Sequence, residues 1–229
     1  VSYDGKVIRI SELAELTASH PLVEKSIWTL GLHAAELYDQ LVFNVIDAAS
    51  NVYRPNSKAA DTSLVHTDRI GYADFAALLA LHQDQGARPF DGGDYVFVCP
   101  PQVNSALLLD PDYKAANQFG DPGKLWRGEV GRLAGLRVVT SNAPSFAATT
   151  QAGAGQSSKV YSSFMVGRFA YQVVDLQSLE TNVVPPGGAT DVLKQSYKIG
   201  YKFSQKSVIS NQNWLRRVRS SGLNSVTNP

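Results

Sequence analysis

Gly128, Gly131 and Gly135, in the segment Lys124 to Asn142, are the first residues to weigh for chemistry, because glycine-rich turns can hold phosphate groups against backbone amides. Their spacing does not suit that task. It misses G-x-G-x-x-G, and no Gly-Lys-Ser/Thr follows, so neither a dinucleotide nor a nucleoside triphosphate loop is indicated. Cys99 follows the apolar run Val96 to Val98 and has no second cysteine to pair with. Without a local His-Asn/Asp signature it reads as a buried structural thiol. His20, His33, His66 and His82 are too scattered for a metal-ligand motif and are expected at the surface or at helix ends. There is no Gly-x-Ser-x-Gly elbow and no His-Glu-x-x-His, and although a hydrolase or lyase with its residues on separate loops stays open on motifs alone, the expectation is a protein that is not an enzyme and needs no cofactor or metal.

Charge offers a second kind of chemistry. Seven of the 21 basic residues follow Asp191 and none of the 20 acids does, which leaves 14 basic groups against 20 acids in residues 1–191. The seven are Lys194, Lys198, Lys202, Lys206, Arg216, Arg217 and Arg219. Tyr197, Ile199, Tyr201 and Phe203 alternate with Ser196, Lys198, Gly200 and Lys202, the period of a strand with one packed and one basic face. Such a face can meet nucleic-acid phosphates, carboxylates of another protein surface, or only solvent. Aromatic residues do not interleave on the basic side, so base-reading recognition is not supported. The arginine cluster beside Trp214 and Leu215 is expected to anchor on protein and reach carboxylates of an adjacent chain.

The elements that must position these residues are legible in part. Ser19 can cap a helix with Pro21 in its first turn, and Val23, Ile27, Leu30, Ala34, Leu37, Leu41 and Val45 follow as one stripe. A helix running to about Ser50 extends roughly 45 Å at ~1.5 Å per residue, long for a domain of this size, and Gly31 is a possible kink. A second helix is predicted from Tyr72 to about Gln85, with Phe75, Leu78, Leu79 and His82 on one face and Gly86 as the stop. A strand over Tyr95–Cys99 and a helix over Gln102–Leu109 come next. Gly135 opens a β-branched run, Leu136 to Val139, around Arg137. Pro122-Gly123 and the small-residue tract Ala143 to Ser158 are predicted loops.

With 229 residues, 18% charged and 44% hydrophobic, the chain can bury a substantial core as one large domain or two close subdomains. No apolar run approaches the ~20 residues that span a bilayer, and no signal peptide opens the sequence. The strand-like opening from Val1 to Ile10 suggests that a segment precedes it.

The segment Trp126-Arg-Gly-Glu-Val-Gly131, followed by Gly135-Leu-Arg-Val-Val139, resembles the central signature of a major capsid protein family of tailed bacteriophages, typified by the N-four-like podoviruses. Order along the chain matches too. A long early helix, Gly92 to Val98 ending at Pro100, Leu107 to Asp112, the signature, Gly167 to Tyr171 and a basic Lys-Ile-Gly-Tyr-Lys strand succeed one another. The resemblance implies an α+β chain with the Hong Kong 97-like capsid fold, in which Gly128, Glu129, Gly131, Gly135 and Arg137 form a structural signature. It implies the end of an extended loop and a lead-in over 1–18, and a peripheral subdomain with spine helix and second helix over 19–92. An axial subdomain over 93–185 and return strands with a tail over 186–229 complete it. The implied function is a virion shell assembled in the bacterial cytoplasm from hexamers and pentamers around double-stranded DNA, bound without sequence specificity. Other copies, and portal, scaffolding and decoration proteins, are the implied partners, with no membrane. An encapsulin-like cargo shell and an unrelated α+β enzyme are the alternatives.

Overall fold

The computed structural model describes residues 3–113, 131–142, 149–153, 156–187 and 193–226. They form two compact units, Val1–Val42 with Val173–Val208, and Phe43–Gln172 with Ile209–Pro229.

The first unit is a helix laid on a three-stranded sheet of order β1-β9-β8, with β1 at Asp4–Ser11, β8 at Tyr171–Val184 and β9 at Ser196–Ile209. β1 runs antiparallel to β9, with Ile8 opposite Ile199 and Ile10 opposite Tyr197. The alternation predicted for this basic strand sends Ile199, Tyr201 and Phe203 inward, where they pack with Ile10 and with Leu30 and Ala34 of α2 (Leu22–Asp47). Tyr201 and Phe203 stack with ring centroids 6.1 Å apart. His33 on α2 brings Nδ1 to 2.6 Å from the Tyr201 hydroxyl.

The long helix is present and is capped differently from expectation. Glu15, in the short helix α1 (Glu12–Thr17), accepts from the Leu22 and Val23 amides through Oε2 at 3.1 and 3.3 Å. A carboxylate from the preceding helix therefore replaces the Ser19 cap, and its negative charge suits the positive end of the helix dipole. Ile27, assigned to the buried stripe, is exposed because it sits at the edge of the arc that faces the sheet.

The second unit is built on a seven-stranded sheet of order β2-β10-β7-β3-β5-β4, with β6 paired beside β7. Its strands are β2 (Val52–Tyr53), β3 (Tyr95–Cys99), β4 (Arg132–Leu133), β5 (Leu136–Thr140), β6 (Thr149–Gly153), β7 (Gln156–Val166) and β10 (Leu215–Val226). Inward Tyr95, Phe97 and Cys99 alternate with half-buried Val96 and Val98. Helix α3 (Tyr72–Asp84) sets Phe75, Leu78 and His82 against that face, with the Phe75 and Phe97 rings 4.8 Å apart. Asp74 accepts from the Gly71 amide at 2.9 Å and Asp110 from the Tyr72 amide at 2.8 Å, which fixes the start of α3 to the end of α4 (Pro101–Leu108). Val103 and Leu107 of α4 join the same core.

The tract predicted as a loop, Ala143 to Ser158, is strand where it is described. β6 and β7 form a hairpin with Gly153 opposite Gln156. Backbone pairing to the long strand β7 holds Thr149–Gly153, which carry no apolar alternation to announce it.

Candidate assembly interface

The signature turn is a two-residue hairpin. Ala134 and Gly135 join β4 to β5 with φ of 49° and 75°, the double positive φ of a type I′ turn. Glycine meets that demand at 135, where a Cβ would also stand 3.5 Å from the Leu79 side chain. Gly131 has φ 66°, and its carbonyl accepts from the Val138 amide at 2.8 Å. Arg137 is exposed on β5, opposite Arg132 and beside Val96. Gly128 and Glu129 lie outside the described residues.

The basic end of the chain divides into two groups. Lys198, Lys202 and Lys206 share the outward face of β9, and Lys202 Nζ lies 3.1 Å from Glu180 on β8. Lys194 sits in a turn at φ 56°. Exposed apolar residues stand among the strand lysines: Val7, Val174, Leu176, Val184 and Val208. A groove of about 390 Å³ runs between them over Gly200, flanked by Val7, Asn182, Val184, Lys198 and Lys202.

The arginines are bonded inside the chain. Arg216, 9% exposed, donates through Nη2 to Gln85 Oε1 at 3.2 Å. Arg217 donates to the Asp47 carbonyl oxygen and lies 3.5 Å from its carboxylate. Arg219 donates to Ser162 Oγ at 2.7 Å and lies 3.5 Å from Asp61, which also holds Arg54 at 2.6 Å. Such partly buried charged hydrogen bonds tie β10 to its surroundings. The sequence predicts a segment anchored on protein with its guanidinium groups on carboxylates of an adjacent chain, whereas β10 lies between β2 and β7 and Arg216, Arg217 and Arg219 bond to acceptors of their own chain.

His82 and Cys99 are among the groups of the second unit whose titration burial shifts. His82, expected at a surface or helix end, lies in the last turn of α3 and is fully buried. Burial first, and the Arg216 guanidinium second, push its pKa down to about 4, with the carbonyls of Trp214 and Met165 pulling the other way. Cys99 is buried as expected, and burial pushes its thiol up to about 12.

The opposite face of the first unit also carries apolar side chains to the surface. Trp28 is 67% exposed on α2, with Leu32 one turn on, and Leu13 and Leu16 of α1 are exposed as well. Glu24 and Glu36 lie on the same outward side of α2. Among the described residues, no group of three or more His, Cys, Asp and Glu is placed to hold a metal ion, and no helix is long and apolar enough to cross a membrane.

A two-unit chain whose charged and apolar residues spread over open faces defines a class: a subunit made to be covered by neighbours. Solved structures of that class superimpose on it. The capsid of Cyanophage Pam1 does so with a TM-score of 0.75 and 13% identity, covering 97% of this chain and 75% of that one. The capsid of Ralstonia phage GP4 matches with a TM-score of 0.68 and 16% identity, over 99% and 75% of the two chains. A virus-like particle from Pyrococcus furiosus reaches a TM-score of 0.51 at 10% identity, over 95% and 75%. Identities this low speak for a shared fold. No curated protein matches the sequence. Residues 1–202 match the family described as Phage capsid protein, and the chain belongs to that family. It is a major capsid protein of the Hong Kong 97-like fold, a structural component of the virion that associates with its own copies in the head shell of a tailed bacteriophage.

Proposed function

We propose that copies of this chain form hexamers and pentamers that close an icosahedral head around double-stranded DNA, in the cytoplasm of the bacterial host and without enzymatic activity. The observation that carries this reading is the pair of apolar faces left open on the first unit, Trp28 and Leu32 on α2 and Val7, Leu176 and Val184 on the sheet. Contiguous exposed apolar surface marks a place where another protein docks. Each contact between copies can be weak, because closing a ring or shell turns later contacts into intramolecular ones with high effective concentration.

The peripheral subdomain expected over 19–92 with return strands over 186–229, and the axial one expected over 93–185, do not follow the two compact units, so in this reading the bounds are redrawn: the Val1–Val42 and Val173–Val208 unit is peripheral, and the Phe43–Gln172 and Ile209–Pro229 unit is axial. Lys198, Lys202 and Lys206 are its candidate contacts to neighbouring copies or to the genome, and Lys194 is a further candidate in its turn. Portal, scaffolding and decoration proteins are its further partners. The test is electron microscopy and sedimentation of the full chain, expressed alone and with the scaffolding protein of its phage. Capsomers or closed shells are expected. A protein that stays monomeric under both conditions would overturn the reading. An encapsulin-like cargo shell is the second reading, prompted by the match to the Pyrococcus furiosus particle. Nuclease-resistant genomic DNA inside particles from infected cells favours the phage head, and packaged protein cargo favours the other.

A further inference from the structure

We infer that the Arg168-Phe169 turn of one copy seats in the cleft between α2 and β8 of a neighbouring copy, a contact that rests on the head-shell reading above. The turn closes through the Ala170 amide donating to the Gly167 carbonyl at 3.2 Å. Phe169 takes φ 62° there while remaining 52% exposed. A bulky residue at positive φ is unfavourable, and glycine or asparagine serves such a turn better. Among the described residues the ring's contact is the Arg168 guanidinium, 4.9 Å from its centroid, and the rest of the ring lies open. Arg168 is otherwise held by Asp91, itself well exposed. The turn thus presents an aromatic ring and a cation together at the surface.

The first unit contains a recess of complementary chemistry. A half-open cleft of about 450 Å³ has Leu179 and Phe203 as apolar lining, Gly31, Ala34 and Ala35 along α2, and the carboxylates of Asp39 and Asp175 beside them. It is large enough for a phenyl ring with the stem of an arginine. The two acids match the Arg168 charge, and Asp175 is already oriented by the Tyr38 hydroxyl at 3.1 Å. Gly31 lies inside a helix, where glycine costs about 1 kcal/mol relative to alanine, yet a Cβ there would meet nothing within 4 Å. Packing among the described residues therefore does not require the space that Gly31 leaves. Donor turn and acceptor cleft are different surfaces of one chain, so each copy can give one and take one, the head-to-tail arrangement from which rings are made.

The test uses the full chain and separates folding from assembly. Phe169→Asn keeps a residue that accepts positive φ, and Gly31→Leu adds a good helix former that fills the cleft. Both variants are expected to unfold at the same or a higher temperature than the parent when unassembled. Particle yield at fixed concentration is expected to fall by about tenfold or more, the effect of losing one well-packed anchor. Arg168→Glu and Asp39→Lys, each impaired alone, are expected to regain yield when one chain carries both. Undiminished particle yield from Phe169→Asn and Gly31→Leu, or a double charge swap no better than its parents, overturns the contact while leaving the head-shell reading in place. A parent chain that makes no particles overturns both.

Discussion

At the scale of single residues, His82 carries the clearest consequence. A fully buried imidazole between Tyr95, whose ring centroid is 5.7 Å away, and the Arg216 guanidinium stays neutral in the folded chain. Its folded pKa of about 4 lies below the ordinary histidine value of 6.5, so the unfolded chain binds the proton more readily. Stability from this group is complete above about pH 6.5 and is lost as pH falls toward 4, on the order of 3 kcal/mol in all. Urea midpoints of unassembled protein should therefore drop between pH 7.5 and 5, and His82→Leu should flatten that dependence. An unchanged pH slope in the variant would assign the acid sensitivity elsewhere. His82 was legible as a member of the apolar face of α3. Its complete burial was not, because a histidine at a helix end is as compatible with solvent as with a core.

Among elements, the β4-β5 hairpin is the one whose sequence most nearly dictates its shape. Gly135→Val places a β-branched residue at φ 75° against Leu79, a strain of about 1–3 kcal/mol that should lower the denaturation midpoint. Ala134→Gly relieves the neighbouring φ of 49° and should leave stability equal or raised by up to about 1 kcal/mol. If both changes act alike, the type I′ geometry does not govern this segment. The long helix was equally legible in its stripe, yet its cap was not. Ser19 lies near enough in sequence to serve, and only the packing of α1 brings Glu15 to the open amides of Leu22 and Val23.

For the whole molecule, the division of the basic end predicts two different failures. Lys198→Gln, Lys202→Gln and Lys206→Gln together change an open face and should leave thermal unfolding of the unassembled chain nearly unchanged, since exposed ion pairs contribute little. Assembly or genome retention should weaken instead, in the direction that added salt weakens the parent by screening. Arg217→Gln should act on the fold, because it removes a charged donor from the Asp47 carbonyl and leaves that end of α2 without it. A lower unfolding temperature is expected before any assembly defect is measured. If the lysine variant unfolds readily and the arginine variant only fails to assemble, the division between open and internal charges is reversed.

What the sequence by itself determined is what short-range chemistry controls. The 3.6-residue stripe of α2, the period-two pattern of β9, the stop at Gly86 and the turn at Gly135 each follow from local backbone preference and side-chain polarity. The order of those elements carried the family resemblance, and with it the fold. Tertiary structure decided which faces remain open. Arg216, Arg217 and Arg219 look as free in sequence as Lys198, Lys202 and Lys206, but β10 is an interior strand of a seven-stranded sheet and β9 turns one face outward. The same distinction holds for Trp28, Leu176 and Phe169, whose hydrophobicity predicts burial and whose exposure becomes visible only once every in-chain neighbour is in place. Apolar residues on a chain that assembles are buried by other copies, and the pattern along one sequence is the same whether the covering surface comes from the same chain or the next.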